Sequence, residues 1–207
     1  MVAISGERHQ GNGPDEASTC LLIIDMINPF SFPEAGDLLQ GAMAAAERIA
    51  VLKRRLKQGG IPVVYINDNF GKWQSDFRRL IEECLAESCR GQRIAELLHP
   101  DDDDYFVLKP KHSGFYATPL ELLLRHLGIQ RLILSGVAGN SCVLHTASDA
   151  YMREFSLFVP ADCTASARKE DNDVALDHMR RMLKADLRRS SDLAQLHFPR
   201  RPLQIPR

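Results

Sequence analysis

The sequence contains no apolar run close to the roughly 20 residues needed to cross a bilayer. Its first segment, "MVAISGERHQGNGPDEAS", lacks the apolar core that marks a secretory signal. Acidic and basic residues nearly balance, 27 against 26, and the formal net charge of -1 provides no basic surface for nucleic acid or an anionic membrane. We therefore expect a cytoplasmic protein whose partner is a small molecule, with no nucleic-acid or membrane partner.

Paired cysteines are also missing from the chain. An odd number of cysteines, spread through apolar segments without paired spacing, argues against a disulfide framework. They are Cys20, Cys84, Cys89, Cys142 and Cys163. The two closest, Cys84 and Cys89, have a separation unlike that of zinc ligands. The pattern is typical of a protein that stays reduced.

Short apolar runs alternate along the chain with amphipathic segments. The runs predict strands over residues 20–25, 61–67, 105–109, 131–136 and 155–160. The segments with helical spacing predict helices over residues 37–60, 75–87, 118–128, 141–154 and 169–186. Strands that are each followed by a helix form parallel sheets covered on both faces. We predict a doubly wound, three-layer α/β/α fold of Rossmann-like type, with five or six mostly parallel strands.

One domain accounts for most of the chain. There is no internal repeat, linker or mid-chain change of composition, and 207 residues suit a single core. We assign the domain to residues 18–186, after a disordered arm over residues 1–17. Residues 187–207 form a basic, proline-containing tail, which either is mobile or lies across a neighbouring subunit.

Three reactive side chains follow the ends of predicted strands. Strands one and three end at Asp25 and Lys109, and strand four runs into Cys142; sites in open α/β sheets form beyond these carboxyl ends. Together they offer a base, a cation and a nucleophile. Cys142 also follows "GVAGNS" at a helix start, where the helix dipole lowers the pKa of a thiol. Taken singly, each has a plain alternative: a turn residue, a solvated charge and a buried packing residue.

Three motifs carry a resemblance to a known family. They are "LLIIDMINPF", "KPKHSGFYATPLELLL" and "LILSGVAGNSCVLHTASDAYMREFSLFVPADCTAS". In this order they resemble the isochorismatase-like cysteine hydrolases, which include nicotinamidases and N-carbamoylsarcosine amidohydrolase, over residues 18 to 185. The resemblance implies a catalytic triad of Asp25, Lys109 and Cys142. It also implies a cis peptide bond at Val137–Ala138, an oxyanion hole formed by the backbone N–H groups of Ala138 and Cys142, and a homo-oligomer (dimer or tetramer).

Two positions depart from the family pattern. Nicotinamidases bind a metal through an Asp-x-His motif and a further His after strand two. Here Phe70 replaces the first of those histidines, and no His occurs between His9 and His99. We therefore expect no metal and no cofactor. Ile27 stands where the family often has a Gln, which leaves open how Asp25 is oriented.

The presence of Cys142 indicates the reaction type, because true isochorismatases lack the nucleophilic cysteine. We expect hydrolysis of a C–N bond (amide, carbamoyl or ureido) through a thioester on Cys142, with Asp25 moving the protons and activating the water. Hydrolysis of an ester or lactam by the same thiol, or a non-catalytic binding or assembly domain, are the alternatives. Loop residues that are candidates for substrate contact, with core packing or turn formation as the other interpretation, are Phe30, Asn69, Trp73, Phe115 and Tyr116.

Overall fold

A computed structural model describes residues 18–33, 35–71 and 76–193 and shows a six-stranded parallel sheet. The strands are β1 (Ser18–Ile24), β2 (Val63–Asp68), β3 (Tyr105–Lys109), β4 (Ile129–Val137), β5 (Ser156–Phe158) and β6 (Thr164–Ala165). Their order is β3-β2-β1-β4-β5. The short strand β6 pairs with the carboxyl end of β4, after the part of β4 that pairs with β5. Every pairing is parallel. The predicted doubly wound α/β fold is confirmed.

Helices connect the strands. They are α1 (Ala35–Gln58), α2 (Phe77–Leu85), α3 (Gln92–Leu97), α4 (Leu120–His126), α5 (Leu144–Met152), α6 (Lys169–Met182) and α7 (Ser190–Leu193). A π-helical turn over Gly139–Val143 precedes α5, and a short 3₁₀ helix over Ala161–Cys163 precedes β6. The sequence did not predict α3 or β6, because six and two residues are too few to show a periodicity.

The two faces of the sheet carry separate hydrophobic cores. In β1, Leu21 and Ile23 belong to one cluster, while Leu22 and Ile24 belong to the other. This alternation follows from the two-residue period of a strand and makes the three layers. The alanine-rich face of α1 packs in the first cluster. Within the described residues, no helix is long and apolar enough to span a membrane.

The segment after α6 returns to the domain surface over the residues that the structure describes. The Ser190 backbone N–H and hydroxyl both donate hydrogen bonds to the Asp162 carboxylate, each at 2.8 Å. Leu193 is fully buried in the first cluster. Residues 187–193 of the predicted tail therefore pack on the domain. The expected arm over residues 1–17 and the rest of the tail lie outside the described residues.

Gly136 allows β4 to pass very close to β1 just below the carboxyl edge of the sheet. It pairs with Ile24 and has a φ of 112°, in the region that side chains rarely adopt. An added Cβ would lie 2.0 Å from the Ile24 carbonyl oxygen. Ile24 directly precedes Asp25, so the close approach at Gly136 sets the spacing of the strand ends that bear the candidate site.

We expect Gly136→Ala to lower the free energy of unfolding by roughly 2–4 kcal/mol, because it adds both a backbone strain and a clash with β1. Urea denaturation measures the change. Gly60→Ala is the matched control: φ there is 75°, but no atom lies within 4 Å of an added Cβ. It should cost only about 1 kcal/mol. Equal losses in the two variants would contradict the close approach at Gly136.

Candidate active site

The ammonium group of Lys109 joins the two other members of the predicted triad at the carboxyl edge of the sheet. Lys109 ends β3 and its side chain is fully buried. Its Nζ lies 2.9 Å from Asp25 Oδ2 and 3.4 Å from Cys142 Sγ. Asp25 and Cys142 share Lys109 as a neighbour, and the charge of Asp25 acts on the Cys142 thiol. The structure thus brings together the three side chains that the sequence places at separate strand ends.

Asp25 is held in position from β2. The Asp68 backbone N–H donates to Asp25 Oδ1 at 2.7 Å, and Lys109 binds the other oxygen. Asp25 has a φ of 52°, which turns the chain sharply at the end of β1. Ile27, the departure from the family pattern, is fully buried in the first cluster. Asp25 is therefore oriented by β2 and Lys109 without a Gln at position 27.

Burial and charge shift the pKa values of all three groups. Burial raises the pKa of Asp25 above the ordinary carboxyl range, although Lys109 opposes the shift. Burial, and then the charge of Asp25, raise the pKa of Cys142 to about 12, again against Lys109. Burial acts to lower the pKa of Lys109, but its acidic neighbours, Asp25 foremost, outweigh it and leave that pKa raised. Lys109 is therefore a fixed positive charge.

The effect of the helix start on Cys142 differs from the sequence expectation. Its position predicts a lowered thiol pKa, yet the pKa is raised. Burial and the carboxylate of Asp25 are stronger than a helix terminus, whose influence is limited to a partial charge. The resting group at neutral pH is therefore a protonated thiol with a base beside it.

The turn that carries Cys142 is fixed by its surroundings. The Val137–Ala138 peptide bond is cis, as the family resemblance implies. The backbone N–H groups of Ser141 and Val143 donate to the Ala138 carbonyl at 3.0 and 3.2 Å. At Gly139 an added Cβ would lie 2.0 Å from Asn172 Oδ1 on α6. Ala138 and Cys142 are thereby held on one π-helical turn at the end of β4.

A cavity of about 250 Å³ lies beside Asp68, and its lining does not include Asp25, Lys109 or Cys142. Its lining includes Asp68, Asn69, Phe70 and Leu108. Asp68 Oδ2 is also 3.3 Å from Lys109 Nζ, so the cavity wall and the triad share a contact. Asn69 accepts a hydrogen bond from the Gly71 backbone at 2.9 Å, which is a turn role, and lines the cavity as well. Asn69 thus has a turn role and a place in the cavity wall, and its contact with substrate stays a prediction.

The aromatic candidates for substrate contact separate into different environments. Phe30 is fully buried in the first cluster, so it packs in the core and does not form an accessible wall. Phe115 is buried in the second cluster, with the Arg153 guanidinium 4.9 Å from its ring centre. For these two rings the structure favours core packing, the other interpretation that the sequence left open. Tyr116 is 59% exposed, and Trp73 lies outside the described residues.

Two residues near the triad were not assigned to the site from the sequence, although Asp68 was noted at the end of strand two. Asp68 contacts Lys109 and, through its backbone, Asp25. In the sequence it cannot be told from the two asparagines beside it, although it follows a strand end. His112 Nδ1 lies 3.8 Å from Cys142 Sγ. Its position three residues after Lys109, in "KPKHSGF", is the signal that could have found it.

Among the described residues, one acidic group has the spacing of metal ligands. Asp101, Asp103 and Asp104 have carboxylate oxygens within 4.8 Å of one another. The Lys57 ammonium contacts all three, at distances of 2.5 to 2.8 Å, and Lys53 lies 2.6 Å from Asp104. The three carboxylates are thus already paired with lysine ammonium groups, in a loop before β3.

The fold and the site define a class. The chain is a parallel α/β protein with a carboxylate, a buried lysine and a cysteine at the carboxyl edge of its sheet, where the sites of open α/β sheets form. The isochorismatase domain model matches residues 19–189. The chain belongs to the isochorismatase family of hydrolases, which confirms the resemblance found in the sequence.

Individual relatives agree with this assignment. The chain is 44% identical over 172 residues to the uncharacterized isochorismatase family protein YaaI of Bacillus subtilis, covering 83% of this chain and 94% of that protein. It is 30% identical over 181 residues to the ureidoacrylate amidohydrolase RutB of Methylobacterium radiotolerans, with coverage of 75% and 70%. The structure of N-carbamoylsarcosine amidase from Thermoplasma acidophilum superimposes with a TM-score of 0.65 at 28% identity, covering 84% and 96%.

Replacing Asp25 should make Cys142 more reactive toward an alkylating agent. The Asp25 charge raises the pKa of the thiol and Lys109 lowers it, so Asp25→Asn removes one of the two causes that raise this pKa most and leaves burial as the other. Iodoacetamide reacts with the thiolate, and a fall of one pKa unit increases the thiolate fraction about tenfold. We expect alkylation of the Cys142 peptide, followed by mass spectrometry at mildly alkaline pH, to become roughly tenfold faster or more. An unchanged or slower rate would show that Asp25 does not control the thiol.

Proposed function

We propose that the protein is a cysteine-dependent hydrolase that cleaves a C–N bond of a small amide, carbamoyl or ureido compound through a thioester on Cys142. The single observation that carries this proposal is the contact of one buried ammonium group, on Lys109, with both the Asp25 carboxylate at 2.9 Å and the Cys142 sulfur at 3.4 Å. A base, a thiol and a fixed positive charge in mutual contact are the groups that nucleophilic acyl transfer needs.

Acylation begins when Asp25 takes the thiol proton. The sulfur then attacks the carbonyl carbon, and the carbonyl electrons move to oxygen, where the backbone N–H groups of Ala138 and Cys142 are proposed to receive the negative charge. Collapse of this intermediate breaks the C–N bond. Asp25 returns its proton to the leaving nitrogen, so the amine departs neutral and the acyl group remains on sulfur.

Lys109 makes these transfers feasible in a buried site. Without a cation, a thiolate and a carboxylate side by side would repel one another, and burial would favour their protonated forms. When the proton is on Asp25, the Lys109 ammonium attracts the Cys142 thiolate. When the proton is on the thiol, the same ammonium attracts the Asp25 carboxylate. Hydrolysis of the thioester by water then releases the acid and restores the thiol.

The names of two relatives support the substrate class. Ureidoacrylate amidohydrolase and N-carbamoylsarcosine amidase are both named for cleaving a C–N bond next to a carbonyl group. An amine leaves only after its nitrogen has been protonated, and Asp25 can supply that proton. A good ester leaving group departs without being protonated. We therefore place compounds with a C–N bond before esters.

Removing the thiol tests the proposal. A panel of ureido acids, N-carbamoyl amino acids, simple carboxamides and esters should include a compound whose hydrolysis is lost in Cys142→Ala. Cys89→Ala is the control, because Cys89 is half-buried and contacts the Pro29 carbonyl rather than the triad. It should keep full turnover, as measured by the released amine or ammonia. Turnover in Cys142→Ala equal to that of the unaltered protein would refute the mechanism.

The acid side of the pH profile reports on Asp25. Asp25 must be a carboxylate to accept the thiol proton, and burial raises its pKa. Activity should therefore fall as the pH decreases through that raised pKa, and the acid limb of kcat/KM should lie above the ordinary carboxyl range. Stopped assays across the acidic and neutral range measure it. An acid limb within or below the usual range for an aspartate would contradict this assignment.

A further inference from the structure

His112 is a neighbour of the Cys142 sulfur that does not belong to the predicted triad. Its ring is exposed, and its Nδ1 lies 3.8 Å from Cys142 Sγ and 3.4 Å from the Ser141 hydroxyl. Lys109 and Asp25, the triad partners of this sulfur, are buried. The sulfur therefore has two buried titratable neighbours and one that is exposed to solvent.

The loop that carries His112 is anchored to the helix that follows Cys142. Ser113 donates a hydrogen bond to Asp149 at 2.5 Å, and the Gly114 N–H donates to the Thr146 hydroxyl at 3.0 Å. Thr146 in turn donates to the Cys142 carbonyl at 2.7 Å. These bonds fix the loop relative to the nucleophile, so the short distance between the imidazole and the sulfur is built into the fold.

His145 packs beside His112, but its Nδ1 is hydrogen-bonded to the backbone. The two ring centres are 5.3 Å apart. His145 Nδ1 lies 2.8 Å from the Ser141 carbonyl oxygen, to which it donates. The groups nearest to His112 Nδ1 are a hydroxyl and a thiol, both of which can donate to an unprotonated ring nitrogen. His112 is thus the one of the pair that can act as a base at the sulfur.

Asp25 has little access to solvent. Its side chain is only 8% exposed, and its oxygens accept from the Asp68 N–H and the Lys109 ammonium. Water that attacks an acyl group on Cys142 comes from solvent, to which His112 is exposed. A general base works within hydrogen-bond reach of the proton that it removes, or through one water.

We propose that His112 is the catalytic base of thioester hydrolysis, so that Asp25 serves acylation and His112 serves deacylation. This inference rests on the function proposed above. His112 Nδ1 takes a proton from water as the oxygen bonds to the acyl carbon. When the tetrahedral intermediate collapses and the C–S bond breaks, the imidazolium gives that proton to the departing sulfur. The products are the carboxylic acid, the Cys142 thiol and a neutral imidazole.

Turnover of 4-nitrophenyl acetate separates the two halves, because nitrophenolate leaves on acylation and the acetyl group stays on sulfur until deacylation. In His112→Ala we expect steady-state turnover to fall by roughly 10²-fold or more. The fraction of acid-quenched protein that carries an acetyl group on Cys142 should rise toward unity, and added imidazole should restore turnover. His145→Ala, the matched control, should show neither effect.

Each contrary outcome has a distinct meaning. Unchanged turnover in His112→Ala, lower turnover without accumulated acetyl-Cys142, or the same defect in His145→Ala would overturn the assignment of His112. Thermal unfolding of both variants checks that the folded protein is being measured. Equal turnover in Cys142→Ala and the unaltered protein would instead refute the thioester function on which the assignment rests.

Discussion

A buried ammonium group requires negative charge around it. At the carboxyl edge of this sheet, the site is arranged around the ammonium group of Lys109. Two carboxylates, those of Asp25 and Asp68, and the sulfur of Cys142 lie within 3.4 Å of its Nζ. Removing any of them changes the balance of charge felt by the others. The raised pKa values of Asp25 and Cys142 follow from the same burial that makes the Lys109 contacts strong.

The backbone meets this electrostatic requirement through close strand packing. Lys109 comes from β3, two strands away from β1, and its long side chain reaches the end of β1 across β2. The β2 strand contributes the Asp68 N–H that orients Asp25. On the other side, Gly136 brings β4 against β1, so that the turn carrying Cys142 starts beside Asp25. Four adjacent strands are therefore needed to build one contact among three side chains.

Sequence reasoning recovered the elements whose pattern is local. Apolar runs and helical spacing located five of the six strands and five of the helices, and strand ends located Asp25, Lys109 and Cys142. It missed what depends on distant contacts. Asp68 matters because of its position relative to Lys109, and His112 because a loop is tied to α5. Neither relation has a periodic signal in the chain.

The sequence also did not predict how deeply each side chain is buried or which charges lie beside it. Phe30 and Phe115 follow strands as pocket residues do, yet both are buried in hydrophobic clusters. Cys142 begins a helix, which by itself lowers a thiol pKa, but burial and a neighbouring carboxylate reverse the sign. Burial depends on the packed fold as a whole, so these outcomes appear only when the three layers are assembled.

The central claim is that the resting site holds a protonated Cys142 thiol beside the Asp25 base, under the fixed charge of Lys109. The most direct measurement is the ultraviolet absorbance of the thiolate as a function of pH, taken as the difference between the unaltered protein and Cys142→Ala. The account predicts no thiolate absorbance from Cys142 at neutral pH and its appearance only in strongly alkaline solution. A Cys142 thiolate already present at neutral pH would contradict it, because the proton would then rest on Asp25.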